Sequence, residues 1–524
     1  MERKIFWFCF FGILIFGLVL RVVPTLGNNF YFTIDQGDDA IHAREFFTRG
    51  KLLTKGPETG IQGVHAGPLW YYFISLGYLI FDKDPFGAVF MMIVLNLAVT
   101  AVLMWQIKKH VGWRQALAVG CALTFQWAFY DTSRYGFNPF PLVACGFALV
   151  LLLSAFLRGS AKYYMYAAVP VGLAFNAEVA GAAAMGVFYV LFGAWAWIKK
   201  KLALKTYILS AFLLPGVFVL KMIWDAYRVW QATHTLPESN LNTFGGINFL
   251  GVGKAFLEVV GEASIPQNTL FGVGLWVVIC GIGIRHVGKF PKHFIMLSLG
   301  LYFVSFVFLG ASRGWQDWHD LFLPPLLFVT LILVLCELWQ RTNRYGRIGV
   351  IGVIGVILIS QASMFKDRYL QYLHPSDDPG LLVNQIKVVD WIYQNAENNG
   401  FNVYTYTPNK YDDHYQYVFW WHGRNNYKYL PCEYSFMPKA IKYLYVPNSE
   451  LPVYTEPKLG CDKFVFLIME PFNSFGSTQD KFAQGKPDPD EWFEKAKTNT
   501  ELLEEKMIGK VRVQKRKYPD KISS

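Results

Sequence analysis

Charged residues are scarce in this chain of 524 residues. Asp, Glu, Lys and Arg together make up 17% of it, against about 25% in an average soluble protein. Hydrophobic residues make up 53% and occur in long runs with few charges. Several runs approach the ~20 residues that an α-helix needs to cross a bilayer. The composition therefore excludes an ordinary soluble domain and predicts a membrane protein.

Cysteine is also rare, and the seven cysteines form no metal-binding pattern. Five lie in apolar runs, where cysteine packs as a small apolar side chain: Cys9, Cys121, Cys145, Cys280 and Cys336. Cys432 and Cys461 are the two in the polar C-terminal part. If that part lies outside the cytoplasm, the oxidising compartment permits a disulfide between them, which we hold as a hypothesis.

The net charge of +11 does not indicate nucleic-acid binding, because the basic residues follow the order of the apolar runs. With the runs taken as spans, 17 lysines and arginines fall on one side of the membrane with two glutamates. The positive-inside rule makes that side cytoplasmic. We therefore expect a multi-pass plasma-membrane protein with a cytoplasmic N-terminus and an extracytoplasmic C-terminal domain.

The expected fold class is an all-α polytopic membrane protein with a small C-terminal α/β domain. Eleven predicted spans cover residues 5–23, 86–106, 115–130, 140–157, 163–179, 182–198, 206–224, 268–284, 293–311, 320–340 and 347–364. Residues 1–364 should form the membrane domain, whose outer loop, 26–85, includes an interfacial helix at 67–81. Residues 365–524 should form the extracytoplasmic domain.

The residue pattern of the C-terminal domain predicts five elements. They are an amphipathic helix at 381–398, strands at 403–407 and 463–470, a charged helix at 492–507 and a basic tail at 511–517. The aromatic run 411–422 could stack on sugars, but packing is the more common role of such a run. This domain carries no motif for chemistry.

A dense group of ionisable residues follows the first apolar run. It comprises Asp35, Asp38 and Asp39, and then His42 and Arg44. Ionisable groups beside a bilayer are costly unless they are solvated or used. Two interpretations are open: Asp38 or Asp39 caps a helix over 40–48, or Asp35 takes part in catalysis.

The order of the motifs around this group resembles the GT-C glycosyltransferases, in particular the protein O-mannosyltransferase and lipid A aminoarabinose transferase branches. In that family an Asp-Glu pair and a later Arg follow the first helix, and a Pro-Pro-Leu-Tyr-Tyr motif comes about thirty residues later. Asp35, Arg44 and Pro68 occupy the matching positions here. Gln36 replaces the usual Glu, and Gly67 replaces the first Pro.

The resemblance implies that a sugar moves, with inversion, from a polyprenyl-phosphate donor to an acceptor hydroxyl at the outer membrane face. The acceptor would be a glycan, a lipid or a protein, and membrane lipids are the other expected partners. An acceptor hydroxyl needs a general base, for which Asp35 is the candidate. The leaving phosphate needs cationic or hydrogen-bonding partners.

The resemblance and the outer-loop position also select candidate substrate-binding residues: Asp38, Asp39, Arg44, His65, Arg134, Asn138, Glu178, Arg313 and His319. His65 with a carboxylate could hold a divalent cation, but the spacing identifies no second ligand, so the metal stays unknown. Asn138 stands where many family members carry a second Asp, which puts a two-carboxylate or dimetal scheme in doubt.

Several of these residues also have a structural interpretation. Arg134 can snorkel to the membrane interface, and Glu178 can be structural rather than part of a site. Arg313 and His319 can belong to an aromatic belt instead of meeting the donor phosphate.

Two other functions compete with the transferase. A transporter or flippase would carry ionisable groups near the bilayer midplane in paired, interrupted helices. Here the ionisable groups lie at one membrane edge, and the chain has no two-half symmetry. A phosphotransferase or hydrolase with its chemistry in the C-terminal domain could use His414 and His422, but these residues have no metal or nucleophile spacing.

Overall fold

The computed structural model describes residues 2–59, 63–233, 249–285, 287–310, 316–407, 412–438, 461, 463–471 and 489–519. The chain divides into two compact units. The first unit consists of Met1–Val23, Leu52–Leu76 and Ala88–Leu370, and the second of Pro24–Lys51, Gly77–Gly87 and Gln371–Ser524. Residues 26–51 and 77–85 of the expected outer loop thus group with the C-terminal part.

Most of the chain before residue 374 is helical, because a helix satisfies the backbone hydrogen bonds of an apolar run internally. The α-helices span Glu2–Val22, Ile34–Arg49, Leu69–Ile80, Phe86–His110, Trp113–Phe125, Trp127–Asp131, Pro141–Leu157, Lys162–Ala174, Val179–Ile198, Leu204–Ile208, Leu214–Thr233, Phe249–Glu262, Thr269–Gly283, Lys289–Gly310, Leu323–Arg341 and Arg344–Leu373. Shorter turns of helix lie at Val23–Asn28, Leu209–Leu213 and Asp317–His319.

Six helices within the described ranges are long and apolar enough to cross a membrane: Glu2–Asn28, Phe86–His110, Val179–Ile198, Lys289–Gly310, Leu323–Arg341 and Arg344–Leu373. Three shorter apolar helices are Leu69–Ile80, Pro141–Leu157 and Thr269–Gly283. A multi-pass membrane protein is thereby confirmed. Each of the eleven predicted spans contains a helix, but the helix that begins span 115–130 ends at Phe125 and the helix in span 163–179 ends at Ala174.

The centre of the first unit is the helix Leu323–Arg341. Every residue from Leu323 to Leu335 is buried. The first helix, in contrast, exposes large apolar side chains, among them Phe8, Phe11 and Ile15. Exposed apolar faces of this kind suit contact with lipid rather than water.

The second unit is built on a five-stranded sheet with the order β2-β1-β3-β5-β4. The strands are β1 (Phe401–Tyr406), β2 (Glu433–Ser435), β3 (Phe464–Met469), β4 (Glu501–Ile508) and β5 (Val511–Lys517). β1 pairs parallel with β2 and β3, whereas β5 pairs antiparallel with β3 and β4. The other helices of this unit are Leu382–Asn395, Asp413–Val418, Arg424–Asn426 and Pro489–Ala496, with a π-turn at Phe419–Gly423.

The C-terminal α/β domain, its first helix and its two predicted strands are confirmed. The predicted charged helix 492–507 and the basic tail 511–517 are wrong, because most of this sequence forms the hairpin β4–β5. Gly509, at a φ of 57°, makes the turn, a conformation that glycine adopts easily. Cross-strand charge pairs stabilise the hairpin: Glu504 lies opposite Lys515, and Glu505 pairs with Arg512 at 3.1 Å.

The disulfide hypothesis is confirmed. Cys432 and Cys461 are bonded, with their Cα atoms 5.8 Å apart. Cys432 directly precedes β2, and its backbone N–H donates to the Phe401 carbonyl at 2.8 Å. The bond therefore closes a loop of the chain onto the edge of the sheet.

Candidate functional site

The acidic segment forms one helix, Ile34–Arg49, which we call the acidic helix. Its first turn is fixed by Gln36, whose Oε1 accepts hydrogen bonds from the Thr33 backbone at 2.9 Å and the Thr33 hydroxyl at 2.6 Å. Because the helix begins at Ile34, Asp38 and Asp39 lie inside it. The interpretation that one of them caps a helix beginning at residue 40 is therefore wrong.

Asp35 lies in the first turn of the acidic helix. Its side chain is open to solvent although protein surrounds it. Burial by the surrounding protein, and then the negative charge of Asp38, raise the pKa of Asp35 to about 6. This carboxylate can therefore take up a proton near neutral pH, which is what a general base must do.

The neighbouring aspartates are engaged differently. Asp38 pairs with His42 one turn later, with 3.1 Å between Oδ1 and Nδ1, and Asp39 is buried. Burial lowers the pKa of His42, but the hydrogen bond and charge of Asp38 and the charge of Asp39 raise it to about 9. A cationic His42 thus offsets part of the negative charge, and Asp35 is the most exposed of the three aspartates.

Arg44 is buried in the second unit. Its guanidinium lies over the ring of Trp420, 4.9 Å from the ring centroid, as in a cation–π contact. Of the aromatic run 411–422, residue 411 lies outside the described part, whereas Tyr415, Tyr417 and Trp420 are fully buried. The rings that the structure describes here are mainly packing residues.

The acidic helix is packed into the second unit at Gly37. A side chain at this position would overlap the backbone of Asp413 and His414, at the start of the helix Asp413–Val418. Sequence reasoning missed this contact. The sole local sign of it is the glycine itself, inside a helix where glycine costs roughly 1 kcal/mol.

The first unit contains a cavity of about 200 Å³, which we call the His65 cavity. Its lining residues are His65, Ala66, Gly67, Pro68, Leu69, Asn176, Lys221 and Met222. Lys221 Nζ pairs with Asp225 Oδ2 at 2.6 Å, and the same oxygen lies 3.9 Å from His65 Nδ1. Burial, followed by the charge of Lys55, lowers the pKa of His65, so this imidazole is neutral at pH 7.

Asn176 forms the wall of this cavity. Its Oδ1 accepts a hydrogen bond from the Leu69 backbone at 3.3 Å, and its Nδ2 donates to the Gly172 carbonyl at 3.0 Å. Sequence reasoning missed Asn176, Lys221 and Asp225. The only signal was a Lys and an Asp one helical turn apart at the end of an apolar run.

Three predicted residues meet at the start of the helix Val179–Ile198. Glu178 caps this helix by accepting from the backbone N–H groups of Ala180 at 2.8 Å and Gly181 at 2.6 Å. Its Oε1 lies 3.7 Å from His319 Nε2. Asn138 Nδ2 donates to the carbonyl of Ala177 at 2.8 Å, immediately before the cap.

Burial controls the charge of this group. It raises the pKa of Glu178 to about 7, although the backbone N–H groups oppose the rise. It also lowers the pKa of His319 to about 4. His319 is therefore neutral at pH 7 and offers hydrogen bonds rather than positive charge.

Two candidates remain, Arg134 and Arg313. Arg134 is buried, with its backbone N–H bonded to the Asp131 carbonyl at 3.1 Å. Its charge also acts on the Asp131 carboxylate, together with that of Arg368. Arg313 lies outside the described residues. In the part of the chain that the structure describes, no group of three or more His, Cys, Asp or Glu side chains is placed to hold a metal ion.

Comparison with known proteins finds one family match over part of the chain and solved structures with a similar fold. Residues 65–224 match the dolichyl-phosphate-mannose-protein mannosyltransferase family. ArnT from Cupriavidus metallidurans bound to undecaprenyl phosphate has a similar structure, with a TM-score of 0.54 at 14% identity over 98% of each chain. Apo ArnT from the same organism gives 0.56 at 13% identity, again over 98% of each chain. No curated protein sequence matches the chain.

The structural likeness shows that the chain has the fold of ArnT. The segment that matches the family contains His65, Arg134, Asn138 and Glu178, together with the unforeseen Lys221. Asp35 lies before this segment.

Proposed function

We propose that this chain is a membrane glycosyltransferase of the GT-C type that moves a sugar from a polyprenyl-phosphate donor to an acceptor hydroxyl with inversion, using Asp35 as general base. The observation that carries the proposal is the state of Asp35. This carboxylate is open to solvent, yet the protein around it and the charge of Asp38 raise its pKa to about 6. It is therefore ionised at pH 7 and more basic than an ordinary aspartate.

In the proposed reaction, Asp35 is the only proton acceptor. The Asp35 carboxylate takes the acceptor's hydroxyl proton as the hydroxyl oxygen attacks the anomeric carbon. The bond from that carbon to the phosphate oxygen breaks, and the polyprenyl phosphate leaves with the bonding electrons. Attack opposite to the leaving group inverts the anomeric configuration. A phosphate leaving group needs no general acid.

The leaving phosphate gains negative charge and needs partners that stabilise it. Within the first unit, we propose the His65 cavity as a phosphate-binding site, because it combines a cation, Lys221, with the neutral hydrogen-bonding groups of His65 and Asn176. Asp225 holds Lys221 in place at 2.6 Å. The structurally similar ArnT binds undecaprenyl phosphate, which supports a donor with this kind of head group.

Other candidates have supporting roles in this proposal. At pH 7 His319 is neutral and Glu178 is about half protonated, and such a pair suits hydrogen bonds to sugar hydroxyls. Asp38 and Asp39 adjust the charge around Asp35, and Arg44 secures the acidic helix through Trp420. Arg134, Asn138 and Arg313 keep their assignment as substrate-binding candidates.

The orientation is also a proposal. The lysines and arginines between alternate spans place the N-terminus in the cytoplasm and the C-terminal domain outside it. The disulfide between Cys432 and Cys461 supports this, because such bonds persist in oxidising compartments. In this orientation eleven helices cross the membrane, and the reaction takes place at the outer face.

A donor panel tests the proposal. Purified protein in lipid nanodiscs is given synthetic undecaprenyl-phosphate sugars and a crude envelope extract as acceptor. Mass spectrometry follows the release of undecaprenyl phosphate, and NMR gives the anomeric configuration of the product. We expect acceptor-dependent release from at least one donor, with inversion. Retention of configuration, or consumption of nucleotide sugars in place of every lipid-linked donor, contradicts the proposal.

A further inference from the structure

Backbone hydrogen bonds of Phe30 and Phe32, just before the acidic helix, join this part of the chain to the C-terminal region. The Phe32 backbone N–H donates to the Gly380 carbonyl at 2.8 Å, and the Leu382 N–H donates to the Phe30 carbonyl at 3.0 Å. The buried Gln385 side chain donates to the Phe32 carbonyl at 2.8 Å. The helix that carries Asp35 is therefore part of the fold of the second unit.

Asp413 lies where the acidic helix packs most closely against the helix Asp413–Val418. It begins the helix Asp413–Val418, whose backbone leaves no room for a side chain at Gly37, two residues after Asp35. Asp413 is buried, and its Oδ1 has no hydrogen-bond partner among the residues that the structure describes. An ionised carboxylate in this environment would carry a large desolvation cost.

The charges around Asp413 are mostly of its own sign. Burial, followed by the charges of Asp38, Asp412 and Asp35, raises the pKa of Asp413 to about 8, although His42 opposes the rise. This carboxyl group is therefore mainly protonated at pH 7.

The other charged groups packed around this helix are engaged with different partners. Asp412 accepts hydrogen bonds from Gln416 at 3.0 Å and from the hydroxyl of Tyr434. His414 contacts Glu470 at 3.4 Å. On the neighbouring helix, Lys387 donates to Asn384 at 3.4 Å, and in the next turn of helix His422 pairs with Asp390 at 2.6 Å.

We propose that Asp413 is a positioning residue for Asp35: its uncharged carboxyl group lets the acidic helix pack against the helix Asp413–Val418, and its ionisation loosens this contact. The proposal rests on Asp35 acting as the base. It gives the C-terminal domain a specific role, which is to hold the base in place and to set an upper pH limit for the reaction.

The test compares wild type with Asp413→Asn, Asp35→Asn and the control Asp490→Asn, which changes an exposed aspartate of the same domain. The rate of undecaprenyl phosphate release is measured from pH 6 to pH 9.5. For wild type we expect a fall of about fivefold between pH 8 and pH 9, as for one ionisation near pH 8. Asp413→Asn cannot ionise, so its rate should stay level over this range, and Asp490→Asn should follow wild type.

Hydrogen exchange gives a readout that does not depend on activity. In wild type, exchange in peptides covering 34–49 should accelerate above pH 8 by more than the intrinsic effect of pH. The helix Pro489–Ala496 serves as the internal control. Asp413→Asn should remove the extra acceleration. Equal rate profiles and equal exchange in wild type and Asp413→Asn overturn the positioning role.

The same experiment separates this proposal from the proposed function. If Asp35→Asn abolishes release while Asp413→Asn matches wild type at every pH, Asp35 remains the base and Asp413 has no positioning role. If Asp35→Asn releases product at the wild-type rate, the base assignment fails, and the positioning proposal fails with it.

Discussion

The side-chain oxygen of Asn176 occupies the space that a side chain at residue 67 would need, so Gly67 and Asn176 are in direct contact. The Gly67 backbone N–H donates to the neighbouring Phe175 carbonyl at 3.4 Å. This contact closes one wall of the His65 cavity. It also accounts for the departure from the family motif, because a proline ring at residue 67 would meet Asn176 and the ring nitrogen could not donate.

The first prediction concerns this contact. Gly67→Ala should force Asn176 away, destabilise the protein by about 1–3 kcal/mol as an overpacked site does, and weaken the binding of undecaprenyl phosphate. Gly186→Ala is the matched control, since its nearest neighbouring atom would be 3.8 Å from the added Cβ. Thermal melting and lipid binding by native mass spectrometry check both variants. Wild-type melting and binding in Gly67→Ala would refute the packing argument.

The second prediction concerns the cation of the His65 cavity. Lys221→Gln should weaken undecaprenyl phosphate binding by about tenfold or more, the loss expected for one charge-assisted hydrogen bond. Lys254→Gln removes an exposed lysine, paired with Glu258 at 3.9 Å, and should leave the affinity unchanged. The affinities are measured in nanodiscs, with thermal melting recorded alongside. Equal affinities for the two variants would assign the phosphate to another site.

The third prediction is the acid limb of the rate profile. Because the pKa of Asp35 is raised to about 6, the base is mostly protonated at pH 5 and mostly ionised at pH 7. The transfer rate should therefore rise by about tenfold between these two values, as the ionised fraction does. Initial rates at a saturating donor concentration measure this. A level profile from pH 5 to pH 7 would show that the base has an ordinary aspartate pKa.

The fourth prediction concerns the disulfide. Reduction, or the change Cys432→Ser, should lower the stability of the second unit by about 2–4 kcal/mol, because the bond restricts the unfolded chain. Cys121→Ser, which changes an exposed free thiol, is the control. Thermal melting with and without dithiothreitol follows the effect. Free thiols at Cys432 and Cys461 in unreduced protein would contradict the bond.

The sequence predicts the membrane part well because hydropathy acts locally. Each predicted span contains a helix, and the break between 163–179 and 182–198 occurs where Glu178 caps a new helix. The disulfide can also be predicted from the sequence, since only Cys432 and Cys461 lie in the polar part. The hairpin β4–β5 cannot, because the residue pattern of 501–508 also suits a helix. The pairing with β5 decides that residues 501–508 form a strand.

The surroundings of the candidate base depend on contacts between distant parts of the chain. Phe32 bonds to Gly380, and Gly37 packs against His414, across more than 340 residues of sequence. No local pattern predicts such pairs. Lys221 was overlooked for a different reason, since a single lysine at the end of an apolar run reads as an interfacial residue.

The most direct test of the account is the change Asp35→Asn, which removes the base and keeps the shape of the side chain. With the donor found in the panel, we expect transfer to fall by at least about a hundredfold, as for loss of a general base. Undecaprenyl phosphate binding should stay at the wild-type value, and Asp490→Asn should transfer normally. Transfer by Asp35→Asn at the wild-type rate would contradict the central claim.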